Sequence, residues 1–171
     1  MLYNLISKCF PCNGNSQNEN LMNENKIETS DGNIISKLKS CEIPKLFTMN
    51  GQEKWCRVIS VYDGDTINIV FYIDDLLMHY KFRLYGIDSP ELKPLKIIEN
   101  RTDIIDSANR SKKFLESLIL NKIVYIKFKN EEKYGRLMGI IYFSKNENEK
   151  SVNQIMIDNG YAIEYFGGKK N

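Results

Sequence analysis

Histidine is nearly absent from this chain, with His79 alone among 171 residues. No site can therefore be built on several imidazoles, and a lone histidine amid strand-forming residues is given a structural place and no proton-transfer role. Cysteine is sparse as well. Cys9, Cys12, Cys41 and Cys56 lie in the N-terminal part and do not make the dense framework of a small secreted domain, so reduced thiols in an intracellular, cytoplasmic setting are expected. Long apolar runs are missing: nothing approaches the roughly 20 residues of a membrane span. The opening MLYNLISKCF has no positive leading region and is cut by Asn4 and Lys8, a poor fit to a secretory signal. Excess charge is missing too. Lys+Arg number 24 against Asp+Glu 22, a formal charge of +2, which excludes recognition of nucleic acid through bulk electrostatics and leaves only local contacts to phosphate.

What is present fits one domain with a real core and some appended sequence, at 42% hydrophobic and 27% charged residues. Residues 1–33 read as a disordered tail, because asparagines alternate there with small or charged residues and almost nothing can pack. Two features stand out in the tail. Cys9-Phe10-Pro11-Cys12 has the spacing of a zinc half-site, but the only other thiols are the lone Cys41 and Cys56, which argues against zinc. Residues 1–10 are apolar and end beside thiols, which makes Cys9 and Cys12 candidates for lipidation and the N-terminus a candidate for weak membrane contact. Residues 34–50 form a lead-in, a short helix followed by extended chain with Pro44 as a breaker.

The organised part spans residues 51–171. Residues 58–61, 66–73 and 79–85 are rich in β-branched and aromatic side chains and are broken by turn chemistry at Asp63-Gly64 and at Gly86 and Pro90, so they predict three consecutive antiparallel strands. A connector with Lys93, Pro94 and Lys96 follows. From Thr102, the expected N-cap, Ile105, Ala108, Leu115, Leu118 and Ile119 recur at helical spacing. Residues 123–128 and 137–143 predict a fourth and a fifth strand. Ser151 and Gln154 read as a capping box for a last helix that stops at Gly160. Five strands with two to three helices and local antiparallel connections suit a small closed barrel, an α+β fold dominated by β.

Chemistry concentrates at the strand ends. Asp63-Gly64-Asp65-Thr66, Phe82-Arg83-Leu84, Asp88-Ser89-Pro90-Glu91 and Lys133-Tyr134-Gly135-Arg136 occur in this order over residues 54–166, and together the pattern resembles the staphylococcal nuclease (thermonuclease) family. The resemblance implies an OB-fold barrel. It further implies that Asp65 and Asp88 bind Ca²⁺ with the backbone carbonyl of Ser89, where the family more often has threonine. Hard oxygen donors with one histidine and no cysteine nearby suit Ca²⁺ far better than Zn²⁺. Glu91 corresponds to the family's general base or water orienter. Arg83 and Arg136 can each fork onto phosphate oxygens, and Arg136 matches the residue thought to stabilise the leaving oxygen.

The resemblance thus implies a calcium-dependent, sugar-nonspecific endonuclease acting on DNA and RNA. It favours single strands, leaves 3′-phosphates and works as a monomer. Lys133, Tyr134 and Tyr165 are candidate substrate contacts; Tyr161 competes with Tyr165 as an aromatic neighbour of the nucleotide. The alternative is a catalytically silent member of the fold that binds nucleic acid or protein. Read singly, Asp63-Gly64-Asp65 is an ordinary hairpin turn and Arg83 a strand-surface ion pair. The family's further C-terminal helix has no counterpart before Asn171, and residues 34–47 are the candidate replacement for its packing.

Overall fold

The computed structural model describes residues 31–97, 99–129, 136–146 and 148–167. The tail cysteines, Cys9 and Cys12, and the candidate contacts Lys133 and Tyr134 lie outside the described residues. The chain divides into two units, Met1–Leu46 and Phe47–Asn171. In the first, helix α1 covers residues 31–40, and its apolar Ile34, Ile35 and Leu38 are exposed, as are Ile43 and Leu46 beyond it.

The second unit is a barrel of five strands: β1 (Glu53–Val61), β2 (Thr66–Ile73), β3 (Leu76–Leu84), β5 (Ile123–Lys129) and β6 (Leu137–Tyr142). They close in the order β1-β2-β3-β6-β5. Two further strands of two residues each, β4 (Ile87–Asp88) and β7 (Ile163–Glu164), pair antiparallel outside the barrel. Strands β1 to β3 form a meander because alternation puts Val58, Ile67, Ile69, Phe71, Phe82 and Leu84 on one face, and that face closes around the core. β5 adds Val124, Ile126 and Phe128. Phe128 lies 5.4 Å from Phe71 and 5.8 Å from Phe82, ring centre to ring centre, the latter edge-on. Burying each such ring contributes about 1.5–3 kcal/mol.

Helix α2 (Arg101–Ile119) covers the barrel with Ala108, Ser111, Leu115 and Ile119. Its basic residues stay outside, Lys112 facing Glu116 one turn on at 3.9 Å. Thr102 is not the N-cap: Asn100 precedes the helix, and its side chain makes no capping bond. At helix α3 (Val152–Asp158) half of the expected capping box forms: Ser151 Oγ accepts from the Gln154 N–H at 3.1 Å, while the Gln154 side chain donates to Asp158 at 2.8 Å. Gly160, at φ +71°, ends it and lets the N–H groups of Tyr161 and Ala162 reach the Met156 carbonyl.

β1 and β3 both start earlier than their alternation suggests, β3 directly after the two-residue turn Asp74-Asp75. The parallel seam between β3 and β6 pairs Phe82 with Leu137, Arg83 with Met138 and Leu84 with Gly139. Cys56 is sealed in the core, and burial pushes its thiol up to about 12. A thiol held there is unfit as a zinc ligand, which removes one of the two residues needed to complete the Cys9-Cys12 half-site.

Candidate active site

The turn from Tyr62 to Asp65 is built by Asp63. Its Oδ1 accepts from the N–H groups of Asp65 (3.0 Å) and Thr66 (2.7 Å), while the Thr66 carbonyl accepts from Tyr62 and Asp63. This is the local hydrogen bonding that makes aspartate a turn residue. Its consequence is directional. Asp65 points inward, only 6% exposed, and its carbonyl is tied to the Leu84 N–H at 2.8 Å.

Asp88 arrives by another route. Gly86 takes φ +78°, a conformation that suits glycine, and turns the chain out of β3 into β4. Pairing of Asp88 with Ile163 and of Ile87 with Glu164 then fixes the strand, assisted by a Tyr165 N–H bond to the Gly86 carbonyl at 2.9 Å. Two-residue strands have no periodicity to read. Sequence reasoning missed this small sheet for that reason, although it holds one of the two central acids.

Arg83 joins them. One terminal nitrogen, Nη2, donates to Asp65 Oδ2 at 3.1 Å and to Asp88 Oδ1 at 2.8 Å. Asp65 also accepts from Thr66 Oγ1 (2.8 Å) and from the Ser89 N–H (3.3 Å). Burial nevertheless dominates, with a further push from the charge of Asp63, and the Asp65 carboxyl is held up at about 6 against the pull of Arg83, Thr66 and Ser89. The negative charge of this acid is thus incompletely compensated by the groups around it.

The remaining predicted residues flank this centre on different sides. Glu91 borders a cleft of about 620 Å³ with Asp88, Ser89, Pro90, Lys93, Leu95, Ile104 and Tyr161 to Ile163. Arg136 lines a smaller hollow with Asp63, Thr66, Asn68 and Lys81, next door to Asp65 through Thr66. Tyr165 shares a third with Arg83, Met138 and Phe166. Tyr161 is not a free aromatic platform: its ring stacks on Phe114 at 4.2 Å. His79 lies exposed on β3, away from this chemistry in the register, opposite Val70.

Asn153 is a residue that sequence reasoning overlooked. Buried on α3, it accepts from the Ile141 N–H (3.0 Å) and donates to the carbonyls of Tyr85 (2.8 Å) and Gly139 (3.2 Å). It thereby fastens α3 across the β3–β6 seam in which Arg83 sits. Its only sequence signal was a polar residue one position after an apolar helix start.

Among the described residues, no cluster of three or more His, Cys, Asp or Glu side chains is placed to hold a metal ion. Asp65 and Asp88, held on one guanidinium, form a smaller donor set, and the Ser89 group that faces Asp65 is its N–H. Both acids offer hard oxygens, the kind a calcium ion accepts with water completing its shell. An incompletely compensated buried carboxylate beside a second one fits such a cation.

The fold and rim together define a small OB-like barrel protein with an acid–guanidinium centre outside the barrel core. The comparison with known sequences is more specific. The profile described as Staphylococcal nuclease homologue matches residues 81–171, and the chain belongs to that family. It is 32% identical over 109 residues to a protein named uncharacterized endonuclease in Escherichia coli, covering 64% of this chain and 60% of the relative. A protein of the same name from Haemophilus influenzae is 27% identical over 114 residues, covering 67% of this chain and 54% of the relative. An uncharacterized lipoprotein of Mycoplasma genitalium is 32% identical over 111 residues, covering 61% and 42%. The chain thus spans between about two fifths and three fifths of the length of these curated relatives.

Proposed function

We propose that this protein is a calcium-dependent, sugar-nonspecific nuclease that hydrolyses the 5′ P–O bond of DNA or RNA and leaves a 3′-phosphate. The observation that carries the reading is Arg83 bridging Asp65 and Asp88. Two acids from separate segments are held on one guanidinium, as a phosphodiester site needs: a place for a cation and a cationic fork at its edge. Asp65, Asp88 and the Ser89 carbonyl would hold Ca²⁺. Bound there, the ion supplies Lewis-acid stabilisation of charge on the phosphate.

The chain's own residues divide the rest of the work. Arg83 and Arg136 grip phosphate oxygens and offset the charge that grows as water attacks, and a planar fork suits this better than a lysine point charge. Glu91, carried beside Ser89 by the rigid Pro90, orients the attacking water and takes its proton. Lys133, Tyr134 and Tyr165 contact the rest of the substrate. Single strands are favoured because a shallow rim can splay bases that a stacked duplex withholds.

Membrane contact through residues 1–10 is a further part of the proposal. It gains support from the lipoprotein name of the Mycoplasma relative. Among the described residues no helix is long and apolar enough to cross a membrane. A lipid on Cys9 or Cys12 is the proposed means of contact. Acyl-exchange labelling should mark wild type and not Cys9→Ser/Cys12→Ser; equal signal removes this part.

The test of the enzyme is cleavage of heat-denatured DNA by purified wild type and Glu91→Gln, each in Ca²⁺ and in excess chelator. Cleavage by wild type in Ca²⁺ alone is expected. Folded protein that cuts nothing would transfer the site to the silent binding module.

A further inference from the structure

Ser111 is out of place by the ordinary rules of helices. It is fully buried in the middle of α2, where alanine would favour the helix more, and a serine there usually bonds back to its own preceding turn. Here its hydroxyl instead donates across to the carbonyl of Tyr161 at 2.7 Å. Tyr161 leads directly into β7, the strand that pairs with Asp88.

The other side of Ser111 meets the turn that carries Asp65. A Cβ added at Gly64 would lie 1.9 Å from Ser111 Oγ, 2.9 Å from Ser111 Cβ and 2.7 Å from Ser89 Cβ. The glycines with positive φ among the described residues are Gly51, Gly86, Gly160 and Gly167, so Gly64 is required by lack of space and not by conformation. Gly64 precedes Asp65, and Ser89 follows Asp88. Contact among Gly64, Ser89 and Ser111 therefore brings the two acid-bearing segments to one point on one helix.

We infer that Ser111, with Gly64 and Ser89, is a positioning device that sets the separation of Asp65 and Asp88. Nothing in the bridge from Arg83 could hold that distance alone, because a guanidinium on a long side chain follows its acids. A rigid helix residue packed against backbone does not follow. The inference concerns the acid pair itself; only its calcium readout rests on the function proposed above.

The experiment compares wild type, Gly64→Ala and Gly64→Ala/Ser111→Gly by metal-free crystal structures and by calorimetric titration with Ca²⁺. In Gly64→Ala, Arg83 should lose one of its two carboxylate contacts, and Ca²⁺ affinity should fall by at least about tenfold with the circular dichroism spectrum kept. Removing the Ser111 side chain relieves the new methyl on the helix side but leaves Ser89 Cβ 2.7 Å from it and gives up the bond to Tyr161, so the double variant should regain part of the lost affinity and stay below wild type. A Gly64→Ala protein with both Arg83 contacts intact overturns the inference, as does a folded double variant whose Asp65–Asp88 separation and affinity are no closer to wild type than those of Gly64→Ala. Should Gly64→Ala not fold, Ser111→Ala, which only removes atoms, takes its place. A drop of about threefold in affinity is expected there, and an unchanged bridge and affinity overturn the idea. If wild type binds no Ca²⁺ while the bridge responds as described, the calcium reading fails and the positioning role stands.

Discussion

Replacing Asn153 with alanine tests how the barrel seam is held. The substitution strips the Ile141 N–H and the Tyr85 carbonyl of their side-chain partner, while the Gly139 carbonyl keeps the Tyr85 N–H at 2.8 Å. Leaving the buried Ile141 N–H unsatisfied costs about 1–3 kcal/mol, and the part-buried Tyr85 carbonyl adds a smaller amount. That is a large share of the stability of a domain this size, about 5–15 kcal/mol. Urea unfolding in chelator, followed by the fluorescence of Trp55 and by circular dichroism, should therefore show a loss of about 2 kcal/mol or more.

Asn153→Asp sharpens the test. An ionised aspartate still accepts from Ile141 but faces two carbonyls, so its folded pKa must rise above the unfolded value. Stability is then fully present below the unfolded pKa and is lost as pH rises through the folded one. The Asp variant should approach wild type at acid pH and fall away toward neutrality. An alanine variant within about 0.5 kcal/mol of wild type would refute the reasoning, since a surface asparagine behaves that way.

Further outcomes follow from other sites. Arg83→Lys or Arg136→Lys should cut turnover by about 10²-fold or more with the fold intact, and near-normal turnover in either would sink the two-clamp mechanism. Gly139→Ala places a methyl 2.4 Å from the Lys127 carbonyl oxygen, a backbone atom that cannot swing aside. A loss of about 2 kcal/mol or more in urea is expected, and an unchanged midpoint would show that the barrel yields there. In chelator, the raised pKa of Asp65 means that its ionisation opposes folding: its contribution is fully present below about 4 and lost as pH rises through about 6. Asp65→Asn should accordingly be more stable than wild type at pH 7, by on the order of 2 kcal/mol, with the gap closing toward pH 4. A gap that stays flat or widens on acidification contradicts the burial argument.

The barrel was legible because alternation is a long signal. β2 matches its predicted bounds, and β5, β6, α2 and α3 fall where apolar spacing and the Ser151 cap put them. Where the signal shortens, reading fails. Thr102 looked like a cap because threonine often is one, but the chain enters α2 from Asn100 without a side-chain bond. The β4–β7 pair is too brief for any period. The candidate site was legible as residue types and order, and the structure brings Asp65, Arg83, Asp88 and Ser89 within contact of one another, with Glu91 and Arg136 lining separate hollows. The groups that support them were not legible. Asn153, through three hydrogen bonds, and Ser111, through one, act on backbone atoms 12 to 68 residues away, a relation that composition and spacing do not encode.

The parallel β3–β6 seam has a temporal meaning. Leu84 meets Gly139 across 55 residues of chain, so that pairing waits until α2, β5 and β6 have all been made, whereas the β1–β3 meander can form at once from its neighbours. Arg83 belongs to both: it sits on the early hairpin and completes the late seam. A ribosome that has released only the first half of the barrel has therefore already made Asp65, Arg83 and Asp88, yet has not locked the strand that presents the guanidinium. On the nuclease reading, a nascent chain would carry its acids and arginine unarmed among the cell's own nucleic acids, and competence would arrive with the last strand.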